Sequence, residues 1–457
     1  MAILAVDQGT SATKAVVWCP VRGILSEVDV PVAGLSFDGD RIEQDPQALL
    51  ESVISAGRRA LSEAGVNVAA VGIGNQGETV LAWDPSNGRI LSSALSWQDR
   101  RSHTITDALS HQECERLLAL TGLPADPYFA APKMAWLARQ QKLPAGAVVS
   151  TIDAFVTYLL TGRYVTDAST ASRTQLLDPV TLVWSDVACE IYGLDASTMP
   201  TVLACDAWVG TTDAFGPTLP VIGLMVDQQA ALLAEGCVSA GMAKATLGTG
   251  AFLLANIGVE HLRSTSGLAT SIAWAFADGT RASCVDGQVY SAGAGVSWLE
   301  RVGLITGPGD LDALAMSVAD TAGVSFKPCF TGLGAPHWDP GARASIDGLG
   351  LSTTPAHLVR AFLAGMAEEI AGLAHAVEAD LGHTLRTLRV DGGLTRSQVL
   401  MQLLADALGS PVEVYPHSCA TALGLAAATI RGLDGPGAEQ AIVDGWQPSQ
   451  IYLPGAG

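Results

Sequence analysis

Positive charge is the scarcest property of this chain. Of 457 residues only five are lysine, and the formal net charge is −20. A nucleic-acid partner, which needs a basic face to meet phosphates, is argued against. The same field opposes any small anion, so a bound phosphate requires N–H groups and a metal ion close by. Cys19, Cys114, Cys189, Cys205, Cys237, Cys284, Cys329 and Cys419 are scattered without a C-x-x-C. Neither a zinc site nor a disulfide framework is expected, and a reduced cytoplasm is. No apolar run approaches the ~18 residues of a membrane helix, and the N-terminus shows no basic region or cleavage site. The eight histidines form no ligand-like pair. No lysine follows a glycine, which removes a Walker loop, and no G-x-S-x-G nucleophile elbow occurs. These absences predict a cytoplasmic protein with no membrane partner.

Glycine is plentiful instead, at 49 residues, alongside 49% hydrophobic content. That composition predicts a packed α/β protein with many tight turns, and the length predicts two or three domains. Residues 2–6 read as a buried strand. Asp7-Gln8-Gly9-Thr10-Ser11-Ala12-Thr13 is a turn of small polar residues, and Lys14–Trp18 is a second strand. Such a turn can aim several N–H groups and hydroxyls at one phosphate, and Asp7 can hold a hydrated Mg²⁺; an ordinary hairpin would read the same. The pattern returns at Ala243–Leu247, Gly248-Thr249-Gly250 and Ala251–Ile257, with the two Gly-Thr pairs 239 residues apart. A duplicated unit with two loops facing across a cleft is the expectation.

Residues 72–77 match G-x-G-x-x-G, but Thr79–Trp83, a turn at Asp84–Gly88 and Arg89–Leu91 follow. That is a hairpin where a dinucleotide fold needs a helix. Val226-Asp227-Gln228-Gln229-Ala230 sits where the strand Leu219–Met225 meets an apolar helix. A carboxylate at such a mouth can take a proton from an alcohol as a phosphoryl group arrives; an N-cap is the other reading of Asp227. Glu78, Trp97 and Tyr128 lie on successive loops, where carboxylates bond hydroxyls and aromatic faces cover the C–H side of a polyol. Core packing is the other reading of the two aromatics. Downstream, a short helix around Trp298 follows Gly293, and Thr354-Pro355 opens a helix whose Leu358, Phe362, Met366, Ile370, Leu373 and Val377 form one core face. Leu388–Gly393 is a strand with a double-glycine turn before a helix at Ser397–Leu408, whose N-terminus can receive a nucleotide.

Together these motifs resemble the FGGY carbohydrate kinases, and among them the glycerol kinases. The likeness spans Val6–Thr10, Asn75–Thr79, Ser96–Arg101, Gly122–Phe129, Lys133–Trp136, Thr166–Arg173, Asp227–Ala230, Gly248–Gly250, Phe330–Pro340 and Val390–Gly393. The resemblance implies a two-domain, actin-like ATPase (ribonuclease H-like) α/β fold, divided at 1–233 and 234–457, that closes on ATP and Mg²⁺. It implies Asp227 as the general base and Asp7 as the Mg²⁺-organising carboxylate. Gly77, Glu78, Trp97, Tyr128, Asp227, Gln228 and Phe252 are implied as the polyol pocket. Gly9, Thr10, Ser11, Lys14, Gly248, Thr249, Gly250, Gly293, Gly393 and Ser397 are implied on the nucleotide side. It also implies a homo-oligomer (dimer or tetramer) and a small polyol or sugar as substrate. Glycerol kinases carry an arginine where this chain has Gly77; losing one charged hydrogen bond costs ~1.5–3 kcal/mol and leaves room for a longer polyol or a ketose. A non-catalytic nucleotide switch is the reading from another class, since actin and heat-shock chaperones share the fold.

Overall fold

The computed structural model describes residues 1–32, 34–140, 142–260 and 263–455. Two of its large sheets repeat one pattern. In the first, Ala2–Gln8 pairs antiparallel with Ala12–Cys19, which pairs antiparallel with Gly23–Pro31. On its other flank Ala2–Gln8 runs parallel to Val68–Asn75, and that strand runs parallel to Leu219–Val226. In the second, Ala243–Leu247 pairs antiparallel with Ala251–Gly258, and that with Arg281–Val289. Leu388–Asp391 and then Val412–Val414 extend the other flank in parallel. The two hairpins therefore occupy equivalent places, as the spacing of the Gly-Thr pairs predicted. Both sheets are filled by Val, Leu, Ile and Ala on near-continuous runs, which suits strands covered on both faces.

The Thr79–Leu91 segment forms a hairpin, Val80–Asp84 with Arg89–Ile90, so no helix follows the glycines at 72–77. The helix Pro355–Leu381 buries Phe362, Met366, Ile370, Leu373 and Val377, with Leu358 partly covered. Among the described residues no helix is long and apolar enough to cross a membrane.

One core joins the halves. Ile3, Ala5 and Val16 of the first sheet and Leu254, Trp274 and Cys284 of the second pack with the helices Asp227–Ala234 and Ala420–Asp434. These helices cross at Gly424, where an added Cβ would stand 1.8 Å from the carbonyl oxygen of Ala230. Because that neighbour is backbone, the helices must separate to admit a methyl group. Gly424→Ala is expected to destabilise the protein by about 3 kcal/mol, the upper range for overpacking. Equilibrium urea unfolding checks this, and an unchanged midpoint would show that the crossing has slack.

Candidate active site

Between the halves lies a cavity of ≈ 590 Å³ lined by both hairpin turns and by the strand-to-helix turn at Asp227. Each wall follows from local structure. The helix begins at Asp227 itself, with Val226 in extended conformation at the N-cap position and no side-chain cap. The N-cap reading of Asp227 is thus overturned: a residue inside the first turn points its carboxylate outward. Asp227 Oδ1 accepts from the Gln228 N–H at 2.7 Å. Burial raises the Asp227 carboxyl above its ordinary range, against the pull of Gln228 and Lys244.

Glu78 has φ 56, a left-handed conformation that a non-glycine residue adopts at a cost of roughly 1–2 kcal/mol. That turn directs its buried side chain to the Arg173 guanidinium, whose Nε donates to Glu78 Oε1 at 2.6 Å. Arg173 Nη1 donates to Asp286 Oδ1 at 2.5 Å, linking the two halves. Burial raises both carboxyls and Arg173 opposes it in each. Aromatic rings complete the pocket. Trp97 meets Tyr128 edge-on at 6.1 Å and Phe252 at 5.6 Å between centroids. The Tyr128 loop is pinned by Lys133, whose Nζ donates to the carbonyls of Pro127, Tyr128 and Phe129 at 3.0, 2.5 and 2.8 Å. Gly77, Glu78, Trp97, Tyr128, Asp227, Gln228 and Phe252 all line the one cavity, so the expected pocket residues do converge.

On the nucleotide side the outcome is mixed. Thr10, Ser11, Gly248, Thr249 and Gly250 line the cavity, and Gly9 closes its turn with an N–H to Ala12 O bond at 3.2 Å. The Thr10 hydroxyl, however, is spent within the protein: it accepts from Trp97 Nε1 at 2.9 Å and donates to Gln76 Oε1 at 2.8 Å. It ties the first turn to Trp97 and Gln76. Lys14 is also engaged elsewhere, because strand alternation sends its ammonium to Glu27 at 2.9 Å and Asp29 at 3.0 Å. Gly293 donates its N–H to Gly248 O at 2.9 Å and so braces the second turn. Gly393 is exposed in a short 3-10 turn outside the cavity lining. The helix after it begins at Gln398, with Ser397 as cap. Its open N-terminus, expected to meet a nucleotide, is capped by Asp312, which accepts from Gln398 N at 2.7 Å and from Ser397 Oγ. Asp312, the third residue of the separate helix Asp310–Met316, gave no local sign of this contact.

Asp7 Oδ1 is buried with no partner. Burial, with Asp227 nearby, raises the Asp7 carboxyl to about 8, opposed by Lys14. A buried, unbalanced oxygen of this kind fits a cation. Among the described residues no group of three or more His, Cys, Asp or Glu is placed to hold one. The donor set suits Mg²⁺, which keeps water and phosphate oxygens as most of its ligands.

Sequence reasoning missed Arg173, Asp286, Lys133 and Lys244 as site residues. Arg173 and Asp286 are 113 residues apart, and nothing local announces the pair. Lys244 is fully buried, and its Nζ reaches Gln228 Oε1 at 2.5 Å and Thr246 Oγ1 at 2.6 Å. A lysine inside an otherwise apolar strand was the available signal.

The halves of the chain have known counterparts. The N-terminal domain model of the FGGY family of carbohydrate kinases matches residues 2–234, and the C-terminal domain model matches 243–433. The chain belongs to the FGGY family. It is therefore an ATP-dependent carbohydrate kinase with the two-domain, actin-like fold of that family. A glycerol kinase of Thermus brockianus is 40% identical, over 94% of this chain and 89% of its own. One from Alkalilimnicola ehrlichii is 39% identical, over 96% and 93%. The crystal structure of Plasmodium falciparum glycerol kinase with ADP superimposes with a TM-score of 0.91 at 28% identity, covering 99% of this chain and 94% of that one. A xylulose kinase from Lactobacillus acidophilus, 19% identical with a TM-score of 0.90, shares the fold alone.

Proposed function

We propose that this FGGY kinase transfers the γ-phosphoryl group of ATP to a primary hydroxyl of a small polyol, as in the conversion of glycerol to glycerol 3-phosphate. The observation carrying the reading is Asp227: a carboxylate fixed by the Gln228 N–H on the wall of a cavity that both glycine turns share. Asp227 accepts the hydroxyl proton as the oxygen attacks. Glu78 and Gln228 orient the remaining hydroxyls, and Trp97, Tyr128 and Phe252 cover the carbon skeleton and exclude water. N–H groups of Thr10, Ser11, Thr249 and Gly250, in the two turns, stabilise charge on the moving phosphoryl group. Asp7 would hold a hydrated Mg²⁺, which supplies charge neutralisation at the phosphate oxygens when bound. The division at 233/234 belongs to the same reading, with the polyol pocket and base in the first half and most nucleotide contacts in the second.

Gly77 favours a second reading of the substrate, a longer polyol or ketose such as erythritol or xylulose. An added Cβ there meets Val226 Cγ2 at 3.1 Å, a close contact to which the valine methyl must yield, and nothing else within 4 Å. ADP release coupled to a panel of three- to six-carbon polyols and ketoses tests both readings, and no stimulation by any of them would reject the function. Gly77→Arg is expected to improve kcat/KM for glycerol roughly 10- to 150-fold at the expense of longer substrates. If the variant gains on no substrate, Gly77 does not set acceptor length.

A further inference from the structure

The guanidinium of Arg173 is only partly used by the protein. Nε serves Glu78 and Nη1 serves Asp286, whereas Nη2 has no protein partner among the described residues. The side chain lines the same cavity as Asp227 and Gly77, and it lies over the Tyr128 and Phe129 rings at 5.7 and 5.3 Å. Two carboxylates and two aromatic faces therefore fix its plane, and the remaining donor is aimed by that framework without further ordering cost. Arg173 is 5% exposed and lines the cavity, so what can meet the free donor is whatever enters that cavity. Charge narrows what that partner is. Glu78, Asp286 and Asp227 outnumber the one guanidinium facing the cavity, so an anionic acceptor is opposed and a hydroxyl is not.

Resting on the polyol-kinase reading, we propose that Arg173 is the hydroxyl-binding arginine of this chain. Its Nη2 donates to a hydroxyl of a neutral polyol beside Glu78. The strained turn at Glu78 then has a purpose: it orients Arg173 as well as the substrate.

Arg173→Lys keeps the charge beside Glu78 and Asp286 but loses the second amine. For the best wild-type polyol, kcat/KM is expected to fall roughly 10- to 150-fold, the range for one charged hydrogen bond, with the loss in KM and ADP affinity unchanged. Against a set of monodeoxy analogues, one analogue is expected to serve both proteins equally, because it lacks the hydroxyl that Nη2 holds. If every analogue loses as much as its parent in the variant, the role is structural and the proposal fails. It also fails if the aldonate of the same chain length equals the polyol in the wild-type enzyme. Should Arg173→Lys not fold, a crystal structure of the wild-type enzyme with the preferred polyol decides: no hydroxyl within ~3.2 Å of Nη2 overturns it. Wild-type enzyme that no polyol stimulates rejects the kinase reading instead, which separates the two failures.

Discussion

Asp227→Asn is expected to lower kcat by about 10²- to 10⁴-fold, the contribution of a well-placed general base. The amide keeps the shape of the side chain and can still accept the Gln228 N–H through its oxygen. What it loses is the capacity to take a proton. ATP affinity should therefore stay within a few-fold of the parent, and the acceptor KM should change little, since the missing interaction strengthens only as the hydroxyl ionises. The pH profile carries a second signature. Burial raises the Asp227 carboxyl, and the base works only when deprotonated. In the wild-type enzyme kcat/KM should fall as pH drops through a value above the ordinary ~4 of aspartate, and the residual rate of the variant should lack that limb. Steady-state kinetics on both proteins across pH supplies the check; near-normal turnover in the variant removes Asp227 from the mechanism.

Asp7→Asn should abolish turnover and yet stabilise the metal-free protein at alkaline pH. The Asp7 carboxyl of the folded chain is raised to about 8, against ~3.9 in the unfolded chain. A raised folded value contributes stability that is fully present below the unfolded value and is lost as pH rises through the folded one. The wild-type protein without metal should thus weaken between about pH 4 and 8, at roughly 1.4 kcal/mol per pH unit before solvent and cation screening reduce it. Asparagine has no proton to lose, so the variant should be the more stable of the two by several kcal/mol above pH 8. Adding Mg²⁺ with ATP should raise the melting temperature of the wild-type protein and leave the variant's nearly unmoved. Parallel melting curves for the two proteins at every pH would show that Asp7 is not under electrostatic stress.

Much of this was legible in the sequence, for identifiable reasons. Gly9-Thr10 and Gly248-Thr249 announced the duplication because a tight turn between two apolar strands has few alternative codings. Gly77 to Phe252 could be grouped through their motifs, and they do share one cavity. What escaped was whatever depended on long-range pairing. The Glu78–Arg173–Asp286 bridge forms only when the halves meet, and side-chain composition near Arg173 is unremarkable. Strand alternation, not loop geometry, decides where the Lys14 ammonium goes, and Glu27 and Asp29 on the next strand hold it. The same holds at Ser397: a helix N-terminus attracts any carboxylate, and Asp312 of the protein meets this one.

The most direct measurement is a crystal structure of the enzyme with a non-hydrolysable ATP analogue and its preferred polyol. The account predicts a primary hydroxyl within ~2.6–3.2 Å of an Asp227 carboxylate oxygen, with the hydroxyl oxygen in line with the terminal phosphate. A polyol seated with all its primary hydroxyls beyond reach of Asp227, or an Asp227 turned away from the cavity in the complex, would contradict it.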